Sequence, residues 1–219
     1  MERKRAFQKD EFYHIYNRGI DKRKIFFAEG DWTHFQRLLY ICNNSGKRIR
    51  PERVKGKSLV DIQRGQPLVN IYAYAMMENH LHIIMSENIE GGISKFMSKL
   101  LTSYSMYMNK KYKRTGPLMC RPFRSKHIGS DEYFRWLMSY VHLNPIDQVE
   151  PKWKEKGVKN NKEISSFLNI YKYSSYYDYF INDREESLIL NKENLPINID
   201  DLDNIVTMFS EYTNGLGES

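Results

Sequence analysis

A run of β-branched and aromatic residues, Val69 to Met77, breaks at Asn79-His80-Leu81-His82 and resumes at Ile83-Ile84-Met85. Both halves read as strand, so the chain must build a sheet around this pairing. Alternation along a strand puts His80 and His82 on one face, roughly 6 to 7 Å apart. Two imidazoles at that spacing can grip one divalent cation. By themselves, two histidines at a strand edge are more often an ordinary pair, so a further ligand and a nucleophile are needed from elsewhere in the chain.

Other elements fall on either side. Phe12 to Asn17 alternates aromatic and polar residues as a strand does and closes at Arg18-Gly19. A helix follows, with Asp31 as its expected N-cap and Trp32, Phe35, Leu38, Leu39 and Cys42 at helical spacing. Residues 43–67 read as a basic loop with a short element near Leu59 to Ile62. Gly91-Gly92 opens a long helix from Ile93 to Lys111, and a short strand is expected from Arg124 to Ile128. Ser130 is placed to cap a helix running to Asn144, where Pro145 should stop it. The order β-α-β-β-α-β plus one further helix predicts an α+β, ferredoxin-like (RRM-like, split βαβ) core. That core is a four-stranded antiparallel sheet with helices on one face and an extra helix carrying Tyr140. Residues 146–170 read as a lysine-rich connection, and Tyr171 to Phe180 as a tyrosine-dense segment docked on the domain by packing.

Charge sharpens the picture. From Asp183 to Ser219 there are nine acidic and two basic residues, so of the overall +7 the first 182 residues carry +14. We therefore divide the chain into a domain over 1–182 and an acidic tail or docked extension over 183–219. Gly91 to Ser130 contains nine Lys or Arg and no carboxylate, interleaved with Tyr104, Tyr107, Tyr112 and Phe123. A basic, aromatic stretch of that kind suits phosphates and bases better than a merely solvated face. Arg18, Lys110, Lys111, Arg121, Arg124 and Lys126 are the expected nucleic-acid contacts. No apolar run reaches membrane-spanning length, and no signal-like stretch follows Met1. Cys42 and Cys120 stand alone, so neither a zinc ribbon nor a disulfide framework is expected, and a reducing cytoplasm fits.

The helix from Asp131 to Asn144 supplies what the histidines lack. Phe134, Leu137, Met138 and Val141 form its core stripe, while Tyr140 and Asn144, four apart, project together. Set beside the His pair, they would bring a nucleophilic oxygen and an oxygen-donor third ligand on one helix. His142 points about 200° away from Tyr140 and is read as a non-ligand. Glu78, on the strand face of His80, is a further candidate ligand or base. Tyr104, Tyr107 and Tyr112 compete with Tyr140 for the role of nucleophile.

His80-Leu81-His82 with Tyr140-Val141-His142-Leu143-Asn144-Pro145 resembles the single-tyrosine HUH transposases, in particular the REP-associated tyrosine transposases of the IS200-like group. Tyr13 to Gly19 (YHIYNRG), Gly116 to Ser125 (GPLMCRPFRS) and Tyr173-Ser174-Ser175-Tyr176 share in the resemblance, which spans residues 10–180. It implies that His80 and His82, with Asn144 as polar third ligand, hold Mg²⁺ or Mn²⁺. It also implies that Tyr140 attacks single-stranded DNA beside a hairpin or palindrome, forming a 5′-phosphotyrosine bond and releasing a 3′-hydroxyl. The cellular place implied is the bacterial nucleoid in the cytoplasm; both monomers and homodimers occur in the family. A non-catalytic single-stranded nucleic-acid-binding protein of the same fold is the alternative. A rolling-circle replication initiator is disfavoured because no Walker-type GxxxxGK[ST] is present.

Overall fold

The computed structural model describes residues 7–197. Its centre is a four-stranded antiparallel sheet in the order β2-β3-β1-β4, built from β1 (Phe12–Arg18), β2 (Val69–Met77), β3 (His80–Glu87) and β4 (Arg124–Ile128). α1 (Glu29–Cys42) and α2 (Gly92–Lys111) connect the strands as split βαβ crossovers, which is the expected ferredoxin-like topology. Both pack on the face formed by Tyr13, Ile15, Leu81, Ile83 and Met85. The opposite face carries α3 (Asp131–Leu143), whose Phe134, Leu137, Met138 and Val141 bury against Tyr72, Ala73, Ala75 and Ile84. The sheet thus separates two apolar cores, and everything that points with His80 and His82 points toward α3.

Two helix boundaries differ from the sequence expectation. Asp31 is not the N-cap of α1; that position falls to Ala28, and Asp31 accepts the Phe27 and Ala28 N–H groups from within the first turn. Ser130 does cap α3, its Oγ accepting the Tyr133 N–H. Past Leu143, however, the chain does not stop at Pro145. It tightens into a 3₁₀ turn over Asn144–Gln148, with Pro145 at the start of that turn, where a missing N–H costs nothing. Asn144 keeps helical backbone angles (φ −50°, ψ −37°), so its side chain stays in register with Tyr140. The connection over 146–170 also folds more than expected, into α4 (Trp153–Lys156) and α5 (Asn161–Leu168). In α5 Asn160 caps the helix and Ile164 and Leu168, one turn apart, are buried.

The outer edge of β2 is covered by the tyrosine-dense segment and by the chain beyond it as far as Asn191. Met76 N–H donates to Tyr173 O (3.1 Å), Ser175 N–H to Tyr74 O (2.9 Å) and Asn191 N–H to Ile71 O (2.8 Å). Tyr171 and Tyr179 hydroxyls donate to the Met76 and Tyr72 carbonyls. This segment packs, as expected, and closes an edge that would otherwise pair with other chains. The first part of the acidic stretch is docked too: Glu185 accepts from the Ser58 hydroxyl and the Leu59 N–H, and Arg184 pairs with buried Asp178. The rest of the expected tail, residues 198–219, lies outside the described residues. The β4 edge is exposed and presents Arg124, Ser125, Lys126 and His127.

Asp31 ties α1 to α2. Fully buried, it accepts from Lys111 Nζ (2.6 Å), Tyr107 OH (3.1 Å) and Tyr112 OH (2.7 Å) besides the two backbone groups. Burial alone would raise its pKa, but the hydrogen bonds from Lys111, Tyr112 and the Phe27 and Ala28 amides outweigh it and leave the carboxyl below its ordinary range. A depressed carboxylate pKa stabilises the fold above the unfolded value and loses that contribution as pH falls through the folded value. Asp31→Asn should cost about 3 kcal/mol at neutral pH. In urea melts, the gap between variant and wild type should narrow below about pH 4; a gap independent of pH would contradict the charge-based account.

Candidate active site

Register brings the site together. In the β1–β3 pairing Arg18 lies opposite His80, Tyr16 opposite His82 and His14 opposite Ile84. In the β1–β4 pairing Lys126 lies opposite His14 and Arg124 opposite Tyr16. Cross-strand partners share a face, so two imidazoles, a third histidine and three basic residues point to the same side of the sheet as α3. A cleft on this side is lined by Tyr16, Arg18, His80, His82, Arg121 and Arg124, among others. Arg121 is steadied at its wall by a bond to Thr102 Oγ1 (3.2 Å).

The two histidines are held so that each can offer a lone pair. Asn79 donates its amide to Lys22 O (3.2 Å), which turns its Oδ1 toward His80 Nδ1 at 2.6 Å. An amide oxygen only accepts, so His80 carries its proton on Nδ1 and its Nε2 is bare. His82 Nδ1 lies 2.7 Å from His14 Nε2. With His82 as donor in that bond, its Nε2 is likewise bare. The two rings stand 5.2 Å apart between centroids, at 83° to one another. His14 and Tyr16 stack on His82, with centroids at 5.0 and 6.0 Å, and fix its plane.

Burial keeps these rings neutral. The His80 pKa is lowered to about 4, by burial first and then by the Lys154 ammonium. His82, 7% exposed, is pushed well below its ordinary value by burial and by the neighbouring His14 and His80. His14 is lowered to about 4 by burial and by Lys126. Neutral imidazoles with one ring nitrogen hydrogen-bonded and the other bare are the donor form a divalent metal requires. The residues therefore fit a divalent cation, which His80 and His82 would hold through their free ring nitrogens. Among the described residues no cluster of three or more His, Cys, Asp or Glu offers a metal cage.

Tyr140 stands over this pair. Its ring centroid is 5.6 Å from that of His82 and 6.3 Å from that of His14, edge-on to both. Trp136, one turn earlier, stacks on it at 5.2 Å and 21°, while Trp153 flanks it at 6.2 Å. Asn144 is completely buried, donates its amide to Tyr140 O (2.6 Å), and its Oδ1 accepts from Lys154 Nζ (2.9 Å). The oxygen expected to serve a metal is thus in contact with an ammonium group.

The rival tyrosines lie elsewhere. Tyr104 is buried in the α1–α2 layer and donates to Ile25 O (2.6 Å), while Tyr107 and Tyr112 are bonded to Asp31. Burial pushes the Tyr104 phenol up, further from any nucleophilic role. Lys111 is bound to Asp31 in that same layer, and Lys110 precedes it in the last turn of α2; neither is among the residues that line the cleft. Lys126 is on the α3 face, its ammonium 4.6 Å from the Tyr133 ring centre. Glu78 sits in the β2–β3 turn and pairs with Lys24 (2.8 Å). His142 points away from the site: fully buried, it bonds Ser175 Oγ (2.8 Å), and burial lowers its pKa to about 3.

Three participants escaped the sequence reading. His14 and Tyr16 are visible as alternate residues in YHIYNRG, but only the β1–β3 register places them against His82. Lys154 has no linear signal at all, since it reaches Asn144 through a fold in the 146–170 connection.

Residues 53–144 match the family described as "Transposase IS200 like". That stretch includes both histidines, Tyr140 and Asn144. A solved structure of a REP-associated tyrosine transposase bound to a REP hairpin superposes with a TM-score of 0.52 and 12% identity, over 81% of this chain and 83% of that one. At that identity the likeness establishes the shared fold. No curated protein matches the chain.

Proposed function

We propose that this chain, which belongs through residues 53–144 to the IS200-like transposases, cuts and rejoins single-stranded DNA through a covalent bond to Tyr140. The observation that carries the reading is the convergence of Tyr140, 5.6 Å from the His82 ring, on a pair of neutral histidines at the end of a basic cleft.

The chemistry is set by the groups present. Tyr140 oxygen forms a bond to a backbone phosphorus, the bond from phosphorus to the 3′ oxygen breaks, and the proton lost by the phenol is matched by the one the 3′-hydroxyl gains. The 5′-phosphotyrosine conserves the energy of the ester, so a second 3′-hydroxyl can attack it and rejoin the strand without ATP. A free phenol, with a pKa near 10, is a weak nucleophile at neutral pH. Mg²⁺ or Mn²⁺ on His80 and His82, with Asn144 as third ligand, would polarise the phosphate oxygens and offset the charge that develops there. His14 and Asn79 orient the two imidazoles, and Trp136 and Trp153 fix the Tyr140 ring. Arg18, Arg121 and Arg124 track the phosphates, with Lys126 at the β4 edge, while Tyr16 offers a ring beside the cleft.

The substrate class is single-stranded DNA at hairpin or palindromic sequences, an assignment supported by the family match and by the hairpin held in the structural neighbour. Labelled hairpin oligonucleotides incubated with protein and Mn²⁺ should yield a slow, protease-sensitive band on a denaturing gel, abolished by chelator. Binding without any adduct across a varied hairpin library would favour a non-catalytic binding protein instead. Because the four basic contacts are phosphate-centred, affinity should fall about a hundredfold between 50 and 200 mM salt. A flat salt response in a fluorescence-anisotropy titration would contradict the phosphate-tracking cleft.

A further inference from the structure

We propose that Lys154 is a built-in stand-in for the divalent cation, one that occupies the Asn144 oxygen until metal displaces it. The inference rests on the metal reading above and goes beyond it, since it assigns a role to a residue outside the His pair and the tyrosine helix.

The ammonium of Lys154 lies against Asn144 and Tyr140 of the tyrosine helix and against Asp147 in the 3₁₀ turn that follows it. It donates to Asn144 Oδ1 (2.9 Å) and Asp147 Oδ2 (3.2 Å) and lies 5.1 Å from the centre of the Tyr140 ring. Its charge is felt at both His80 and His82, whose pKa values it helps to lower. A cation therefore already sits on the Asn144 oxygen and beside the Tyr140 ring, whose edge meets His82. Asn144 has no spare geometry: its amide nitrogen is committed to Tyr140 O at 2.6 Å, so Oδ1 has a fixed aim. The lone pair turned toward Lys154 is engaged, and a nearby dication and the ammonium repel one another. Metal on the histidines and the Lys154–Asn144 bond are thus opposed states.

Lys154 is free to give way. Its side chain is 33% exposed and hangs from α4, a single turn at the surface, and Asp147 can keep it once Asn144 is released. An incoming DNA phosphate would draw it off further. The arrangement keeps the third ligand and Tyr140 in place without metal and weakens metal binding in the absence of DNA.

Mn²⁺ binding to the DNA-free protein, followed by electron paramagnetic resonance, tests this without any turnover. Lys154→Met should bind Mn²⁺ about tenfold more tightly than wild type, and Lys154→Arg should stay near wild type. In an Asn144→Ala background the gain from Lys154→Met should shrink, because the contested oxygen is gone. A gain of the same size in that background would show only the removal of a charge and overturn the stand-in. So would Mn²⁺ binding that depends on His80 yet is unchanged or weaker in Lys154→Met. If neither protein binds Mn²⁺ in a His80-dependent way, the metal reading itself falls, and the stand-in with it.

Discussion

Tyr140→Phe should abolish the covalent DNA adduct and lower strand cleavage by at least about a thousandfold, with DNA affinity unchanged. The variant removes one oxygen and keeps the ring, whose stacking on Trp136 (5.2 Å) and edge-on contact with His82 (5.6 Å) are apolar. The α3 stripe that anchors the helix, Phe134, Leu137, Met138 and Val141, is untouched. Folding should therefore be preserved, and near-identical thermal melts would confirm it. Tyr104, Tyr107 and Tyr112 cannot substitute, because they are bonded in the α1–α2 layer across the sheet. Residual cleavage at the wild-type rate would mean that water or a different residue attacks the phosphate.

His82→Ala should remove Mn²⁺ binding and activity together, by at least about a hundredfold, while His14→Ala should weaken both by only about tenfold. The difference comes from position. On the proposed reading His82 would offer a ring nitrogen to the cation, whereas His14 would set the tautomer and plane of His82 through the 2.7 Å contact between their rings. His14 also stacks on His82, so its loss leaves a buried ring with one partner fewer and about 1–3 kcal/mol less stability. Calorimetric titration of Mn²⁺ into both variants distinguishes the roles. Equal losses would make His14 a direct ligand; no loss in His14→Ala would make it packing alone.

The parts of this site that could be read from the sequence are those set by local periodicity. His80 and His82 share a face because strand residues alternate, and Tyr140 and Asn144 share one because helix residues repeat every turn. The Ser130 cap and the core stripe of α3 were legible for the same reason. Non-local pairing was not. The contact of His14 with His82 depends on strand register, and that of Lys154 with Asn144 depends on how the 146–170 connection folds. Lys110 and Lys111 read as nucleic-acid contacts because they belong to a carboxylate-free stretch. Asp31, eighty residues earlier than Lys111, claims that lysine once the helices pack. Pro145 read as a stop because a proline ends an α-helix, yet a 3₁₀ turn accepts it and carries Asn144 with helical geometry. Charge composition signals a basic surface, but only tertiary structure sorts its members into cleft and scaffold.

The most direct test of the central claim is to map the residue that carries the DNA. The adduct formed with a hairpin oligonucleotide would be trimmed with nuclease, digested with trypsin and sequenced by mass spectrometry. Cleavage after Arg135 and Lys152 isolates residues 136–152, in which Tyr140 is the sole tyrosine. A nucleotide attached to that peptide through Tyr140, and absent when metal is chelated, is the predicted result. A nucleotide on any other tyrosine, or on a serine, would contradict the assignment of α3 as the catalytic helix.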